Sequence, residues 1–215
     1  ATAAVGVWFG LPGLPSRDRG GAMALRIGRR GDILSVLATV FLSFAGLFCV
    51  AAYIGPIVTA TTGMTGSGIA AVQVFIGLGS IGGIALGGRL AGRHGPAAPM
   101  WLSGLLAAAL LGYAALLLTP PAAWHATPLA GCIFAGSVAL FALAPMTQAK
   151  LVALAPEDRA VALALMGSVA SAGQGAGAAM GGAVIGVVGL VGTGVVGCGL
   201  ALVGVWVARG AFRRD

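Results

Sequence analysis

Three long stretches of this chain carry no charged side chain. Residues 33–88, between Asp32 and Arg89, number 56. Residues 95–149, between His94 and Lys150, number 55, and His125 is the one imidazole among them. Residues 160–208, between Arg159 and Arg209, number 49. Within each stretch the apolar positions surround the helix axis. They form neither a one-sided stripe nor a period-two alternation, which excludes a membrane β-barrel. One helical crossing of a bilayer takes about 20 apolar residues, so each stretch holds two crossings and a turn. The pattern therefore predicts an all-α membrane protein with six transmembrane helices.

Turn signals divide the stretches. The first contains Gly55-Pro56 and the run Thr61 to Gly66; the second, Thr119-Pro120-Pro121 through Thr127-Pro128; the third, Gly189 and Gly192. They place the spans near 33–54, 67–88, 98–118, 128–147, 160–187 and 191–208. Residues 1–10 are apolar but too few to cross, and Leu11-Pro12-Gly13-Leu14-Pro15 interrupts them. No basic segment precedes them, as a signal peptide would need. They are expected to be the end of a preceding transmembrane helix.

Composition agrees with lipid as the main solvent. Of 215 residues, 59% are hydrophobic and 8% charged, where a soluble domain has about 25% charged. The net charge of +7 could suggest nucleic acid, but the cations sit between apolar tracts, where they direct topology. Residues 11–32 hold Arg17, Arg19, Arg26, Arg29 and Arg30. Arg89 and Arg93 follow the second span, Lys150 and Arg159 lie between the fourth and fifth, and Arg209, Arg213 and Arg214 close the chain. All twelve basic residues thus fall on alternate connections, which puts both ends of the segment in the cytoplasm. The Arg and Gly/Ala bias suggests a GC-rich bacterial genome, and a bacterial inner membrane is the expected location. Asp32 is placed to cap the first span, and Pro156-Glu157-Asp158 to open the fifth.

Small residues recur every four positions in two spans. The second has Gly79, Gly83 and Gly87. The fifth has Gly167, Ser171, Gly175, Ala179 and Ala183, and a further row of Gly173, Gly177 and Gly181. Such rows let helix backbones approach closely in lipid, so both spans are expected to pack against neighbours. Polar side chains within the spans are few. Thr39, Ser43, Gly46 and Tyr53 share one face of the first span; Gln73 lies in the second; Ser168, Ser171 and Gln174 share a face of the fifth. The amide of Gln174 either bonds a neighbouring helix or lines a wet cavity. Phe44, Phe75 and Phe141 could line the same cavity. Cys49, Cys132 and Cys198 have no paired spacing and suit buried apolar positions.

The string Gly87-Gly88-Arg89-Leu90-Ala91-Gly92-Arg93-His94-Gly95 resembles the loop signature of the major facilitator superfamily, Gly-x-Leu-Ala-Asp-Arg-x-Gly. Gly88, Arg89, Gly92, Arg93 and Gly95 carry the match, and Gly92 stands where the signature has Asp. The copy in the second half of such transporters is often degenerate. Tyr53-Ile54-Gly55-Pro56 looks like the seventh helix of this family. Leu154 to Ala160, with the Gly/Ala-rich helix after it, looks like the entry to the eleventh. The general look is that of bacterial drug and sugar efflux members.

The resemblance implies two six-helix halves, of which this chain is the second. The segments would be 1–10, the end of a preceding helix; 11–32, a cytoplasmic linker; 33–208, the six-helix half; and 209–215, a cytoplasmic tail. The implied partners are the bilayer, the N-terminal half, a small-molecule substrate and protons. The implied activity is secondary active efflux by rocking of the halves about a midplane site. Tyr53, Gln73, Phe141 and Gln174 are the expected cavity residues. No carboxylate, Lys or Arg lies within a span, so the coupling residues are expected in the other half.

No enzyme, cofactor, metal site or nucleic-acid partner is expected. A membrane serine protease needs Ser and His to meet within spans, and His94 and His125 both lie in loops. A metal-dependent transferase needs clustered carboxylates. The remaining alternatives are a complete six-span protein acting as a homodimer and a non-transporting membrane scaffold.

Overall fold

A computed structural model of the chain describes residues 30–91 and 97–212. The segments 1–10 and 11–29, the loop residues Gly92, Arg93 and Gly95, and the tail beyond Phe212 lie outside the described residues. The helices are α1 (Gly31–Ala51), α2 (Ile54–Thr62), α3 (Ser67–Leu90), α4 (Ala97–Leu117), α5 (Ala126–Leu154), α6 (Arg159–Val188) and α7 (Leu190–Phe212). A single 3₁₀ turn, Ala123–His125, leads into α5. Among the described residues six helices are long and apolar enough to cross a membrane, and α2 is the short exception. The architecture is an all-α six-helix bundle.

The element bounds differ from the sequence expectation in instructive ways. The first span stops at Ala51, and Gly55-Pro56, expected as a turn, lies inside α2. Pro56 has no N–H with which to continue the α1 ladder to Ala52, but in the first turn of a new helix that N–H is not needed. The chain therefore breaks at Ala52-Tyr53 and restarts, with Ile57 N–H donating to Tyr53 O at 3.1 Å. Gly189, at φ +76°, ends α6, a conformation that favours glycine. Gly192 does not turn the chain; it is buried within α7 beside Val184 and Val188. α5 runs through Pro145 to Leu154, and α7 continues to Phe212, well past the expected 208.

Asp32 does not occupy the capping position. Arg30 precedes the helix, and Asp32 lies in its first turn, accepting from Ile33 N–H at 2.9 Å and from Arg30 Nη2 at 2.7 Å. Arg30 Nη1 also donates to Leu154 O at 3.1 Å, which ties the start of α1 to the end of α5. The helices alternate in direction, so Arg30, Arg89, Lys150, Arg159 and Arg209 share one end of the bundle. This is the basic end. The outer ends of α2 and α4, the 3₁₀ turn and Gly189 form the uncharged end.

α1 is the most deeply buried span, and it contacts α5, α6 and α7. α4 and α7 pack together behind it, and α5 bridges α4, α1 and α3. The main core joins Val50, Ile57, Leu106, Leu110, Ile133 and Leu140. A second cluster at the basic end joins Ile33, Val36, Leu151, Met166 and Phe212. α3 and α6 sit at the flanks and are the least covered spans.

Candidate functional site

Two glycine rows set the geometry of the flanks. On α3, Gly79, Gly83 and Gly87 are buried against α5. A Cβ on Gly79 would stand 2.8 Å from Phe134 O, and one on Gly83 2.7 Å from Val138 O. At Gly87 it would strike Ala142 O and lie 2.6 Å from Pro145 Cγ. On α6, Gly173, Gly177 and Gly181 face α1 in the same manner, over the carbonyls of Phe41, Ala45 and Cys49. Backbone thus meets backbone along two helix pairs, α3 with α5 and α1 with α6.

The second row on α6 behaves differently. Gly167, Ser171, Gly175, Ala179 and Ala183 are all exposed, and a Cβ on Gly175 would meet nothing within 4 Å. Among the described residues this row is left as a bare face. Helical geometry explains it: Gly175 is two residues from both Gly173 and Gly177, which turns it about 200° from the buried row.

The four expected cavity residues occupy four different surroundings. Tyr53 lies in the break between α1 and α2, and its Oη donates to Ala178 O of α6 at 2.8 Å. Phe141 is half-buried in α5 at the edge of the main core, with its Cβ against Gly83 of α3. Gln174 is half-buried on α6, one residue beyond Gly173. Gln73 is exposed on α3. Among the described residues no hydrogen bond or ring contact joins any two of them. The polar face expected on the first span is also divided. Thr39 and Ser43 face α5 and α6, Gly46 lies 2.9 Å by its would-be Cβ from Gly197 O of α7, and Tyr53 stands past the helix end.

A groove of about 730 Å³ opens between α3 and α5 toward the uncharged end. Met64, Val72, Phe75, Leu78 and Phe134 line it, and Thr127 supplies its one polar side chain. Of the three phenylalanines that could line a cavity, Phe75 lines this groove. Phe44 lines a small internal cavity between α1, α5 and α6, and Phe141 lines neither.

Sequence reasoning missed a clasp at the uncharged end. His125 is 1% exposed, and its Nδ1 lies 3.0 Å from Thr61 O at the end of α2. A carbonyl only accepts, so Nδ1 carries the proton in this bond. Ala122 N–H donates to the same carbonyl at 3.1 Å. Trp124 covers the imidazole edge-on while itself 70% exposed. The partners are more than sixty positions apart, and no local pattern announces such a pairing. Arg89 and Gly88 of the loop string are exposed at the end of α3. The three cysteines are free thiols, and among the described residues no group of His, Cys, Asp or Glu could hold a metal ion.

A bundle of six apolar helices with backbone-close glycine seams defines a multi-pass membrane protein. The family model of the Major Facilitator Superfamily matches residues 5–215, and the chain belongs to that family. It is a family of membrane transporters.

Proposed function

We propose that this chain is the second six-helix half of a secondary active transporter that exports a small molecule across a bacterial cytoplasmic membrane. The observation that carries the reading is the bare small-residue row of α6, Gly167, Ser171, Gly175, Ala179 and Ala183. In lipid, such a row stabilises nothing unless another helix lies against it. Exposed Gln73 on α3 supports the same view, since an amide at membrane depth needs protein or water rather than acyl chains. Both features lie on the two least covered spans, and a partner half laid across α3 and α6 would cover both.

The cavity between the halves would then be bounded by this face, with Gln73 and Gln174 toward it and Tyr53 and Phe141 shaping its wall. The described spans hold no carboxylate, Lys or Arg deep in the bundle, so proton coupling falls to the N-terminal half. The cytoplasmic side is the basic end, by the bias of Lys and Arg. The resemblance to drug and sugar efflux members supports export.

Detection of the native product through its C-terminal tail tests the two-half arrangement. The expected mass is about twice the 20.9 kDa of this segment. A product of 20.9 kDa would leave only an obligate dimer of such halves. Proton coupling is tested with the full-length protein in inverted vesicles. Addition of a transported compound should release a preformed proton gradient, and transport that persists after the gradient is collapsed would remove coupling from the reading.

A further inference from the structure

We propose that the seam between α1, α5 and α6 binds a single structural water molecule, held by Ser43, Thr39 and Thr147. Ser43 is 2% exposed, and its Oγ has no hydrogen-bond partner in the protein. A buried hydroxyl without a partner is costly, and native structures rarely leave one so. Ser43 lines an internal cavity of about 10 Å³ together with Thr39, Thr147, Phe44, Leu140 and Met166. That volume is about what one water requires, and too small for any larger ligand.

The hydrogen-bond inventory closes around one water. Thr39 Oγ1 donates to Ser35 O at 3.0 Å. Thr147 Oγ1 shares its hydrogen between Leu143 O and Ala144 O, at 2.9 Å each, with Met166 Sδ more distant at 4.0 Å. Both threonines have therefore used their single hydrogen and keep acceptor lone pairs, whereas Ser43 keeps a hydrogen to give. A water accepts from Ser43 and donates its two hydrogens to Thr39 and Thr147. Thr39 and Ser43 are one turn apart on α1, which places both hydroxyls on the same side of the helix. A monovalent cation fits less well. It would need compensating charge, and no carboxylate lines the cavity.

The location has a physical logic. Along their glycine rows, the α3–α5 and α1–α6 pairs meet backbone against backbone. The seam between these pairs, where α1 meets α5, carries hydroxyls instead, and water completes their bonding.

The test is a structure of the full-length protein in lipid at a resolution that shows ordered solvent. It is expected to show one solvent peak within hydrogen-bonding reach of Ser43 Oγ, and no such peak in Ser43→Val, whose second methyl fills the cavity. A dry cavity with Ser43 Oγ turned onto Thr39 O overturns the proposal, as does a peak that persists unchanged in Ser43→Val. If Ser43→Val does not fold, Ser43→Ala serves: the peak should weaken or move, because its only donor is gone. Melting that depends on sodium but not on other salts, with the peak ringed by short oxygen contacts, would replace water with a cation.

Discussion

Tyr53 Oη donates to Ala178 O across 2.8 Å, joining the break after α1 to the middle of α6. The phenol lies against two glycines. A Cβ on Gly181 would stand 2.8 Å from its Cε2, and one on Gly182 2.5 Å from its Oη. Tyr53→Phe should remove one hydrogen bond and little packing, costing about 1 kcal/mol of stability. Ala178 O keeps its partner within the helix, so no buried acceptor is stranded. Gly182→Ala should cost more, because the methyl strikes the hydroxyl. The two effects should be non-additive, with Tyr53→Phe relieving much of the Gly182→Ala defect. Thermal unfolding of the single and double variants in detergent measures this, and strict additivity would contradict the contact.

The two glycine rows of α6 should respond oppositely to a side chain. At Gly177 a methyl would strike the Ala45 carbonyl, which is backbone and cannot rotate away. Gly177→Ala should therefore push α6 off α1 and cost about 1–3 kcal/mol. At Gly175 nothing lies within 4 Å, so Gly175→Ala should be neutral to stability or gain helix propensity. A larger Gly175→Leu should leave the melting of the bundle near normal yet sharply lower transport by the full-length protein, because the bare row would meet the other half. If Gly175→Leu transports normally, that face is not an interface.

Much of the bundle was legible in the order of residues, and the reasons are particular. Charge-free tracts bounded by Asp32, Arg89, Lys150, Arg159 and Arg209 must cross lipid, so helix number and alternation follow from solvent alone. The Gly79-Gly83-Gly87 period marked a close contact, although it could not name α5 as the partner. The two α6 rows look alike in sequence, and only the placement of α1 separates the buried row from the bare one. The α2 restart was hidden because Pro56 signals a break and a helix start equally well. The Thr61–His125 clasp and the Ser43 cavity depend on residues far apart in the chain, so no local spacing could suggest them.

The clasp can be tested separately. His125→Phe keeps a buried aromatic ring under Trp124 but deletes the Nδ1 donor to Thr61 O, along with the longer 3.4 Å contact of Nε2 with Thr119 Oγ1. Ala122 N–H still serves that carbonyl, so the acceptor is not orphaned. The expected loss is about 1 kcal/mol, the net value of one hydrogen bond. His125→Ala should cost more, since it also leaves a void beneath Trp124. Unfolding midpoints at fixed detergent and salt rank the variants, and equal midpoints for His125→Phe and the native protein would mean the bond contributes nothing.

The last expectation concerns which end of the bundle faces the cytoplasm. Arg30, Arg89, Lys150, Arg159 and Arg209 share one end, and the opposite connections carry no Lys or Arg. Translocating a cluster of cations is opposed during insertion, so the basic end is expected inside. Trp124 is exposed at the uncharged end, and Glu157 is exposed at the basic end. In a background with Cys49, Cys132 and Cys198 replaced by Ala, each of these two positions can carry a single reporter thiol. Trp124→Cys should react with a membrane-impermeant maleimide on intact cells. Glu157→Cys should react only after the membrane is opened. The reverse pattern would invert the bundle and place the basic end outside. Labelling of both positions on intact cells would mean that the chain inserts in two orientations, as a topology weakly set by charge would allow.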